Sequence, residues 1–511
     1  MPCSSSTATT VPSACSSLLT IPQELTENVL KFCEPRDLAR FAATCRPLRD
    51  IVYNDNDQVV WRVSFLSHPF DDPRQALGCA RLTSAEVDWA GMLQQWLHAE
   101  SVLLSRSTVL TAVLNEDNAS ELGDEDEDKP IRASLLTLLA AYNSALPGRE
   151  GSSANLQWVE SVLLRSALFA HESLLPSPSR AVPAPDSAQQ LIAQLQCYLA
   201  LSNEDGQTKA SKARLASLRS SSRCYVYDLR KYRSETLWGP YTLSANGRLR
   251  VNWEHVKHIQ NVVLMNLRDF PDSWKRVWPS WGVQSVRPYS APDAEKRKPW
   301  DWAGVEGKWR RVVCFMDYRD LFTFNFSSLN EGPLNPRFFD DDFTEAVRLM
   351  EVDLKVLDPI DPSSPMSSPD LPTSSRPAAA FFASGSSLFG TSAPSARGDT
   401  HPQYPPIRFE GSSKGVHSGT SKIRGTVQML RDGTVRWNFI LCVPTDQVTS
   451  YDDAANRWSA EAVQVGHVGS AMGIAGIWTV AVHEEVGDPA GPFWMWKAPD
   501  SLPKDLDQLT F

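Results

Sequence analysis

The chain has 511 residues, of which 42% are hydrophobic and 22% charged, with a formal net charge of −10 at pH 7. This length predicts two or three domains, and the acidic balance argues against a nucleic-acid partner because phosphate neutralisation needs a basic patch. No apolar run approaches the roughly 18 to 20 residues that span a bilayer, and the first residues do not resemble a signal peptide. We therefore expect no nucleic-acid or membrane partner and a cytoplasmic or nuclear location, or both.

The N-terminal sequence predicts a small helical module. Residues 1–18 are rich in Ser and Thr and are predicted to be disordered, whereas apolar residues then recur every three or four positions up to Trp61. That spacing predicts three short amphipathic helices. Pro22 and Pro35 suit first-turn positions because a missing N–H group costs nothing there. A module of about 40 residues is marginal alone, so we expect it to leave apolar side chains for a partner to cover.

The segments of this module resemble an F-box: Ile21-Pro22-x-Glu24-Leu25, Val29-Leu30, Pro35-Arg36-Asp37-Leu38, Thr44-Cys45-Arg46-x-Leu48-Arg49 and Trp61-Arg62. Pro47 stands where many F-boxes carry a bulky residue. An F-box domain over residues 19–68 implies a Skp adaptor as partner and, through it, the cullin and RING subunits of a ubiquitin ligase. The resemblance implies adaptor contacts from one apolar set: Ile21, Pro22, Leu25, Val29, Leu30, Pro35, Leu38, Phe41, Leu48 and Trp61. The alternative is a generic three-helix segment that covers part of a larger core.

Residues 83–205 have a helical period and are predicted to form a linker region. Apolar stripes predict helices at 89–110, 131–142, 156–169 and 188–201. An acidic segment at 115–130 and a Pro/Ser-rich segment at 173–187 interrupt them and are predicted to be exposed loops. We expect this region to position the sequence that follows relative to the F-box, although its grooves are an alternative binding site.

From Cys224 the period changes to two, which predicts an antiparallel β domain over residues 222–511 and an α+β class for the chain. Asn246-Gly247 and Asp432-Gly433 are strong hairpin signals because both residue types tolerate positive φ. About eight strands are expected, with candidates at 249–253, 311–315, 322–326, 435–439, 458–462, 462–465, 477–483 and 493–497. We favour a closed barrel over a sandwich, since closure removes exposed edges. A Pro- and Ser-rich insertion at about 359–406 is predicted to be disordered.

The second half of the chain contains several motifs rich in aromatic residues and glycine. They are Leu237-Trp238-Gly239-Pro240-Tyr241, Asn252-Trp253, Asp301-Trp302-Ala303-Gly304-Val305-Glu306-Gly307, Asp317-Tyr318-Arg319-Asp320-Leu321, Trp458-x-x-Glu461-Ala462-Val463-Gln464-Val465-Gly466 and Asp488-Pro489-Ala490-Gly491-Pro492-Phe493-Trp494. These motifs resemble a recurrent fungal F-box protein, with a β-barrel similar to the lipocalin-like substrate domain of a vertebrate F-box group. The resemblance implies that the barrel binds a protein target, and some members of that group capture protein C-termini.

No catalytic or metal-binding motif is evident in the sequence. His255 and His258 have an H-x-x-H spacing, but on a β segment these positions face opposite sides and no third ligand is evident. Cys314 lies in an apolar strand pattern, where a thiol behaves as a small hydrophobe. We therefore expect no cofactor, no metal and no enzymatic activity of the chain itself.

The sequence thus predicts a substrate-recognition subunit of a Skp-cullin-F-box ubiquitin ligase, with an unknown protein target on the barrel. The candidate target-binding residues are Trp253, Arg310, Arg319, Trp478 and His483, because Trp and Arg concentrate at binding hot spots. The alternative is a lipocalin-like small-molecule binding protein with a structural helical N-terminus. A lumen filled by Trp253, Trp437 and Phe439 would argue against that alternative.

Overall fold

The computed structural model of the chain describes residues 18–53, 58–77, 83–105, 125–166, 187–202, 204, 206–327, 334–340, 343, 345–357, 401, 403–415, 419–442, 457–483 and 488–500. The segments predicted to be disordered, residues 1–18 and 359–406, lie almost entirely outside the described residues. Of the helices described, none is both long and apolar enough to cross a membrane.

The N-terminal module contains the three predicted helices and a fourth: α1 Gln23–Leu30, α2 Pro35–Ala42, α3 Arg46–Tyr53 and α4 Val59–Ser67. Pro22 directly precedes α1 and Pro35 is the first residue of α2, where no backbone N–H donor is needed. Leu38, Val52 and Trp61 are buried. The Trp61 indole N–H donates to the carbonyl oxygen of Val52 over 2.9 Å. The fourth helix therefore supplies the aromatic centre of a core that the first three helices leave open.

The middle of the chain is helical, as predicted: α5 Trp89–Ser105, α6 Glu125–Asn143, α7 Ala154–Arg165 and α8 Ala188–Leu199. One boundary differs from the prediction, because α6 begins at Glu125, inside the segment 115–130 expected to be a loop. Acidic residues are favourable in the first turn of a helix, where they face the positive end of its dipole. The acidic run therefore begins a helix instead of ending before one.

Two further helices and a small hairpin occupy the part of the chain where barrel strands were expected to begin. Their bounds are α9 Lys209–Val226, β1 Tyr241–Leu243, β2 Leu249–Val251 and α10 Trp253–Arg268. The Asn246-Gly247 hairpin is confirmed, but β1 and β2 form a separate two-stranded sheet. The prediction of β structure from Cys224, and of Trp253 as a barrel residue, is wrong.

The helix α10 starts at Trp253 because Asn252 caps it. The side-chain oxygen of Asn252 accepts a hydrogen bond from the backbone N–H of His255 over 3.2 Å, as a helix N-cap does. Almost every side chain of α10 is buried, on all faces of the helix. A helix without a polar face lacks the periodic pattern that would identify it in the sequence.

The C-terminal part forms a closed antiparallel barrel of eight strands in the order β10-β3-β4-β5-β6-β7-β8-β9. The strands are β3 Gly307–Phe315, β4 Ala346–Val356, β5 Ile407–Gly415, β6 Thr420–Met429, β7 Val435–Cys442, β8 Arg457–Gln464, β9 Ile474–Val480 and β10 Ala490–Lys497. The predicted Asp432-Gly433 hairpin joins β6 to β7, and Gly433 has a φ of 84°. The predicted α+β class and closed barrel are confirmed.

One predicted strand, at 322–326, is instead helical and belongs to α11 Tyr318–Phe326. The Asp317 carboxylate caps this helix by accepting a hydrogen bond from the N–H of Arg319 over 2.8 Å. Leu321 and Phe324, three positions apart, are buried against Tyr227 and a neighbouring aromatic cluster. Asp317, which belongs to one of the motifs quoted above, is therefore the N-cap of a helix.

The barrel and the helices share one hydrophobic core. Val256, Ile259 and Val263 of α10 belong to the same cluster of buried residues as Val312 and Trp494, which face outward from β3 and β10. This packing covers one side of the barrel. At the two ends of the barrel, loops meet the inward-facing side chains of the strands.

Candidate functional sites

The first candidate site is a row of exposed apolar side chains along α1, which we name the α1 ridge. Its members and their exposed fractions are Leu19 52%, Ile21 43%, Leu25 55%, Val29 67% and Phe32 92%. From Ile21 onward these residues are spaced four, four and three apart, so they lie on one face. The core of the module is complete without them, and exposed apolar rows of this kind mark interaction surfaces.

The predicted adaptor contacts fall into two groups. Ile21, Pro22, Leu25 and Val29 are exposed and Phe41 is partly buried, whereas the remaining five are buried in the core of the module: Leu30, Pro35, Leu38, Leu48 and Trp61. The first group can touch a partner directly, and the second holds the helices that present it. Sequence reasoning missed Phe32, although its position three residues after Val29 continues the same stripe.

One end of the barrel is closed by the segment 301–306, and we name it the plugged end. Trp302 and Val305 belong to the same buried cluster as the inward-facing strand residues. The Trp309 indole N–H donates to the carbonyl oxygen of Val305 over 2.8 Å. The buried Asp301 carboxylate accepts from the backbone N–H groups of Val305 and Glu306 over 2.8 and 2.9 Å. These bonds fix the plug, so the opposite end is the candidate entrance.

Three inward-facing aromatic side chains, Phe315, Trp458 and Trp478, lie at the opposite end, which we name the aromatic end. The ring centroids of Trp458 and Trp478 are 5.2 Å apart, and those of Phe315 and Trp478 are 6.5 Å apart. The Trp478 indole N–H donates to the carbonyl oxygen of Cys314 over 3.0 Å, which fixes the ring. All three side chains are only partly buried. They therefore offer rigid apolar surface beside the end of the lumen.

A second exposed aromatic row lies on α11, which begins three residues after β3 ends at the aromatic end. Tyr318, Phe322 and Phe326 are 57%, 52% and 38% exposed and are spaced by four residues. The rings of Phe322 and Phe326 lie 4.9 Å apart. Sequence reasoning missed this row because it predicted a strand at 322–326, and a helical period read from Tyr318 would have identified it.

The five predicted target-binding residues do not form one surface. Trp478 and Arg319 lie at the aromatic end, on β9 and α11, and His483 follows β9, where its ring stacks on Trp238 at 3.7 Å. Trp253 is buried in the helical region, 6.0 Å from the ring of Tyr198, and lies outside the barrel. Arg310 is buried on the outer face of β3.

Large aromatic side chains fill much of the lumen. Trp437, Phe409, Phe439 and Phe493 are inward-facing and buried, and the rings of Trp309 and Trp437 lie 5.3 Å apart near the plugged end. Two of the three residues expected to fill the lumen do so, and Trp253 does not because it belongs to α10. A carrier that encloses a ligand along the whole barrel is therefore disfavoured.

The predicted H-x-x-H pair lies on α10, where His258 belongs to a buried polar chain. Its Nε2 atom lies 3.1 Å from Oε1 of Glu254, and its Nδ1 atom lies 3.0 Å from Oγ of Ser222. Burial lowers the pKa of His258 to about 4, so its ring is neutral at pH 7. Ser222 is enclosed by helices and has no exposed surface. These three hydrogen-bonded side chains therefore form a structural network in the helical core.

His255 points elsewhere, with its Nε2 atom 3.2 Å from the hydroxyl of Tyr232. The expectation that the two histidines face opposite sides of a strand is wrong, because both lie on a helix. Within the described ranges, no group of three or more His, Cys, Asp or Glu side chains is arranged to hold a metal ion. Cys314 is fully buried beside Asn266, and desolvation raises the pKa of its thiol well above the usual range.

Comparison with known proteins identifies one part of the chain. Among curated proteins and among solved structures no match was found. Residues 18–67, which contain the α1 ridge and helices α1 to α4, match the F-box-like family. The N-terminal module is therefore an F-box-like domain.

Proposed function

We propose that this chain is the substrate-recognition subunit of a Skp-cullin-F-box ubiquitin ligase. The observation that carries the proposal is the α1 ridge: five large apolar side chains are exposed on an F-box-like domain whose own core is complete. The proposed partner for this ridge is a Skp adaptor and, through it, the cullin and RING subunits. The proposed location is the cytoplasm, the nucleus or both, where such ligases act.

In this proposal the chain contributes proximity and no chemistry of its own. A receptor with two interfaces holds a target near the conjugating enzyme and so raises the effective concentration of a target lysine. Residues 19–68 would hold the adaptor, residues 83–205 would space the two interfaces, and residues 222–511 would hold the target. We also propose that the barrel is similar to that of a lipocalin.

The aromatic end of the barrel is the proposed site for the protein target. Aromatic side chains give large, rigid contact area at low entropic cost and dominate binding hot spots. Phe315, Trp458 and Trp478 supply partly buried rings there, and the exposed row on α11 lies at the same end. Arg319 on α11 and His483 after β9 are the polar candidates at this end.

The adaptor interface is tested by reversing the polarity of the α1 ridge. Leu25→Asp with Val29→Asp places two charges at side chains that are already exposed, so folding is retained while the apolar contact is lost. The matched control is Leu164→Asp, at a leucine that is 49% exposed on α7. Co-purification with a recombinant Skp adaptor is expected to fail for the ridge variant and to persist for the control. Equal recovery of the adaptor with all three proteins would overturn the assignment.

The target site is tested in the variant that carries Leu25→Asp and Val29→Asp. With the ridge disabled, bound targets are expected to accumulate on the chain, where quantitative mass spectrometry detects them. Tyr318→Ser with Phe322→Ser removes two exposed rings of α11 and is expected to release those proteins. Trp300→Ser, at a tryptophan 44% exposed near the plugged end, is the control and should retain them. Proteins that stay enriched on both variants would contradict a target site at the aromatic end.

A further inference from the structure

The loop between α6 and α7, residues 144–153, is held from two sides, and we name it the joint loop. Asp71, which follows α4 of the F-box-like domain, holds one side of it. The Asp71 carboxylate accepts hydrogen bonds from the N–H groups of Leu146 and Ala154 over 3.2 and 2.8 Å, and from the hydroxyl of Ser153. Asp71 is only 5% exposed. The joint loop is therefore fixed to the end of the F-box-like domain.

Arg287 holds the other side of the joint loop. Its guanidinium donates to four backbone carbonyl oxygens over 2.8 to 3.2 Å, those of Leu146, Gly151, Pro147 and Glu150. Arg287 is 3% exposed, so these bonds are shielded from water. Gln284 adds two bonds to Ser153, because its side chain accepts from the N–H over 3.0 Å and donates to the carbonyl oxygen over 3.2 Å. One short segment, 284–287, therefore binds the backbone along most of the joint loop.

The segment that carries Arg287 is bonded to the barrel. Backbone hydrogen bonds of 2.9, 2.9 and 3.0 Å join residues 286–291 to residues 467–469, which connect β8 to β9. This connection lies at the plugged end, where Gln464 of β8 pairs with Ile474 of β9. Arg287 is therefore fixed to the barrel, whereas the joint loop that it binds is fixed to the F-box-like domain.

The same two parts of the protein also meet through apolar side chains. The rings of Tyr142 on α6 and Tyr198 on α8 lie 4.9 Å apart, and the ring of Tyr198 lies 6.0 Å from that of Trp253 on α10. Apolar attraction is non-directional, and packed helices can slide past each other by small amounts. Hydrogen bonds weaken steeply when the donor is misaligned. The apolar contacts can therefore hold the two parts together, but directional bonds are needed to fix the angle between them.

The N–H and carbonyl groups of Leu146 are bound by opposite charges. The N–H donates to Asp71 over 3.2 Å, and the carbonyl oxygen accepts from Arg287 over 2.8 Å. Burial lowers the pKa of Arg287, and the negative charge of Asp71 opposes that shift. Buried charged groups are weak evidence for stability, and their best-attested role is to select one arrangement among several. The two charges on opposite sides of one loop therefore favour a role in alignment.

We propose that Arg287 is a positioning residue that fixes the angle between the F-box-like domain and the barrel. It does so by binding the joint loop, which Asp71 holds from the other side. The inference rests on the proposed function, in which the α1 ridge binds the adaptor and the aromatic end binds the target. In such a receptor the angle determines which target lysines come near the conjugating enzyme, and small misplacements of reacting groups cost large factors in rate. Arg287 thus acts on ubiquitin transfer without touching the adaptor or the target.

Distances between two spin labels, measured by double electron-electron resonance on the full-length chain, test the proposal. The labels are attached through p-acetylphenylalanine at position 40 on α2 and position 424 on β6, whose arginine side chains are 80% and 65% exposed. One narrow distance distribution is expected for the otherwise unchanged chain and a broader one for Arg287→Met. Arg287→Lys keeps the charge with fewer donors and should give an intermediate width. The matched control is Arg268→Met, which removes a guanidinium that donates to the carbonyl oxygen of Leu201 over 2.9 Å within the helical region. It should keep the narrow distribution.

Thermal melts of the same variants separate alignment from stability. A purely structural role would lower the melting midpoint of Arg287→Met and leave its distance distribution narrow. A narrow distribution for folded Arg287→Met, or equal broadening in Arg268→Met, overturns the proposal. If Arg287→Met does not fold, Gln284→Ala takes its place, because it removes two bonds to the joint loop, and an unchanged width in that variant overturns the proposal as well.

Co-purification with a recombinant Skp adaptor separates this proposal from the proposed function. Adaptor binding is expected to be unchanged in Arg287→Met, because the α1 ridge is intact. Loss of adaptor binding in Arg287→Met alone would overturn the positioning role, since the residue would then support the ridge itself. A wild-type chain that binds no adaptor would instead overturn the proposed function, while the distance distributions would still report whether Arg287 fixes the angle.

Discussion

The Nε2 atom of His258 lies 3.1 Å from Oε1 of Glu254, one helical turn earlier on α10. His258 is fully buried and Glu254 is partly buried where α10 packs between the other helices and the barrel. Burial lowers the pKa of His258 to about 4, and the partners Lys257 and His258 hold the pKa of Glu254 at about 2 against desolvation. A neutral histidine and an ionised glutamate are therefore built into the core that joins the two halves of the protein.

This pair predicts that the protein loses stability in mild acid. The pKa of His258 is lower in the folded state than its unfolded value of 6.5. Its contribution is therefore complete above that value and is lost as the pH falls toward 4. Between pH 7 and pH 5 the loss is on the order of 2 kcal/mol, and Glu254 adds to it only at lower pH. Thermal melts across this range should show a falling midpoint, whereas a constant midpoint would contradict a buried neutral His258.

Truncation of a core side chain should destabilise the F-box-like domain much more than truncation of a ridge side chain. Leu38 is 0% exposed and Leu25 is 55% exposed, although the sequence pattern places both on apolar stripes. Leu38→Ala is expected to cost about 2–5 kcal/mol of stability through the cavity it leaves, and Leu25→Ala less than about 0.5 kcal/mol. Chemical denaturation of the two variants measures the difference. Similar losses at both positions would mean that Leu25 is part of the core.

Gly425 is required by the packing inside the barrel. A Cβ atom at this position on β6 would lie 2.3 Å from the carbonyl oxygen of Asn438 and 2.6 Å from Cζ of Phe409. Gly425→Ala is therefore expected to destabilise the barrel by about 1–3 kcal/mol. Gly419→Ala is the control, because a Cβ there meets no atom within 4 Å. Urea melts that place both variants at the wild-type midpoint would contradict the close approach of β6 to Phe409.

Local turn chemistry made two hairpins predictable from the sequence, one outside the barrel and one within it. Asn246-Gly247 and Asp432-Gly433 each combine two residues that tolerate positive φ, and both hairpins are present. The strands β4, β5 and β6 were missed for the opposite reason. Glycine and serine at Gly411, Ser413 and Gly425 interrupt the inward-facing apolar residues of β5 and β6, so the alternation in these two strands is shorter than the strands themselves.

The helix α10 was not predictable from periodicity because tertiary burial removes its polar face. Leu249, Val251 and Trp253 do alternate, but the pattern ends at Asn252, whose cap starts a helix. The spacing of the apolar residues and the small size of the module made it predictable that apolar side chains stay exposed on its surface. The sequence could not predict which members of the apolar stripe face outward, since Leu30 and Leu38 follow the same spacing and are buried.

The central claim is that the α1 ridge holds a Skp adaptor. Size-exclusion chromatography with light scattering, on the full-length chain mixed with a purified adaptor, measures this most directly. We predict a single peak with the mass of a one-to-one complex, which separates into its two components when Leu25 and Val29 are both changed to Asp. Two separate peaks from the wild-type mixture would contradict the account.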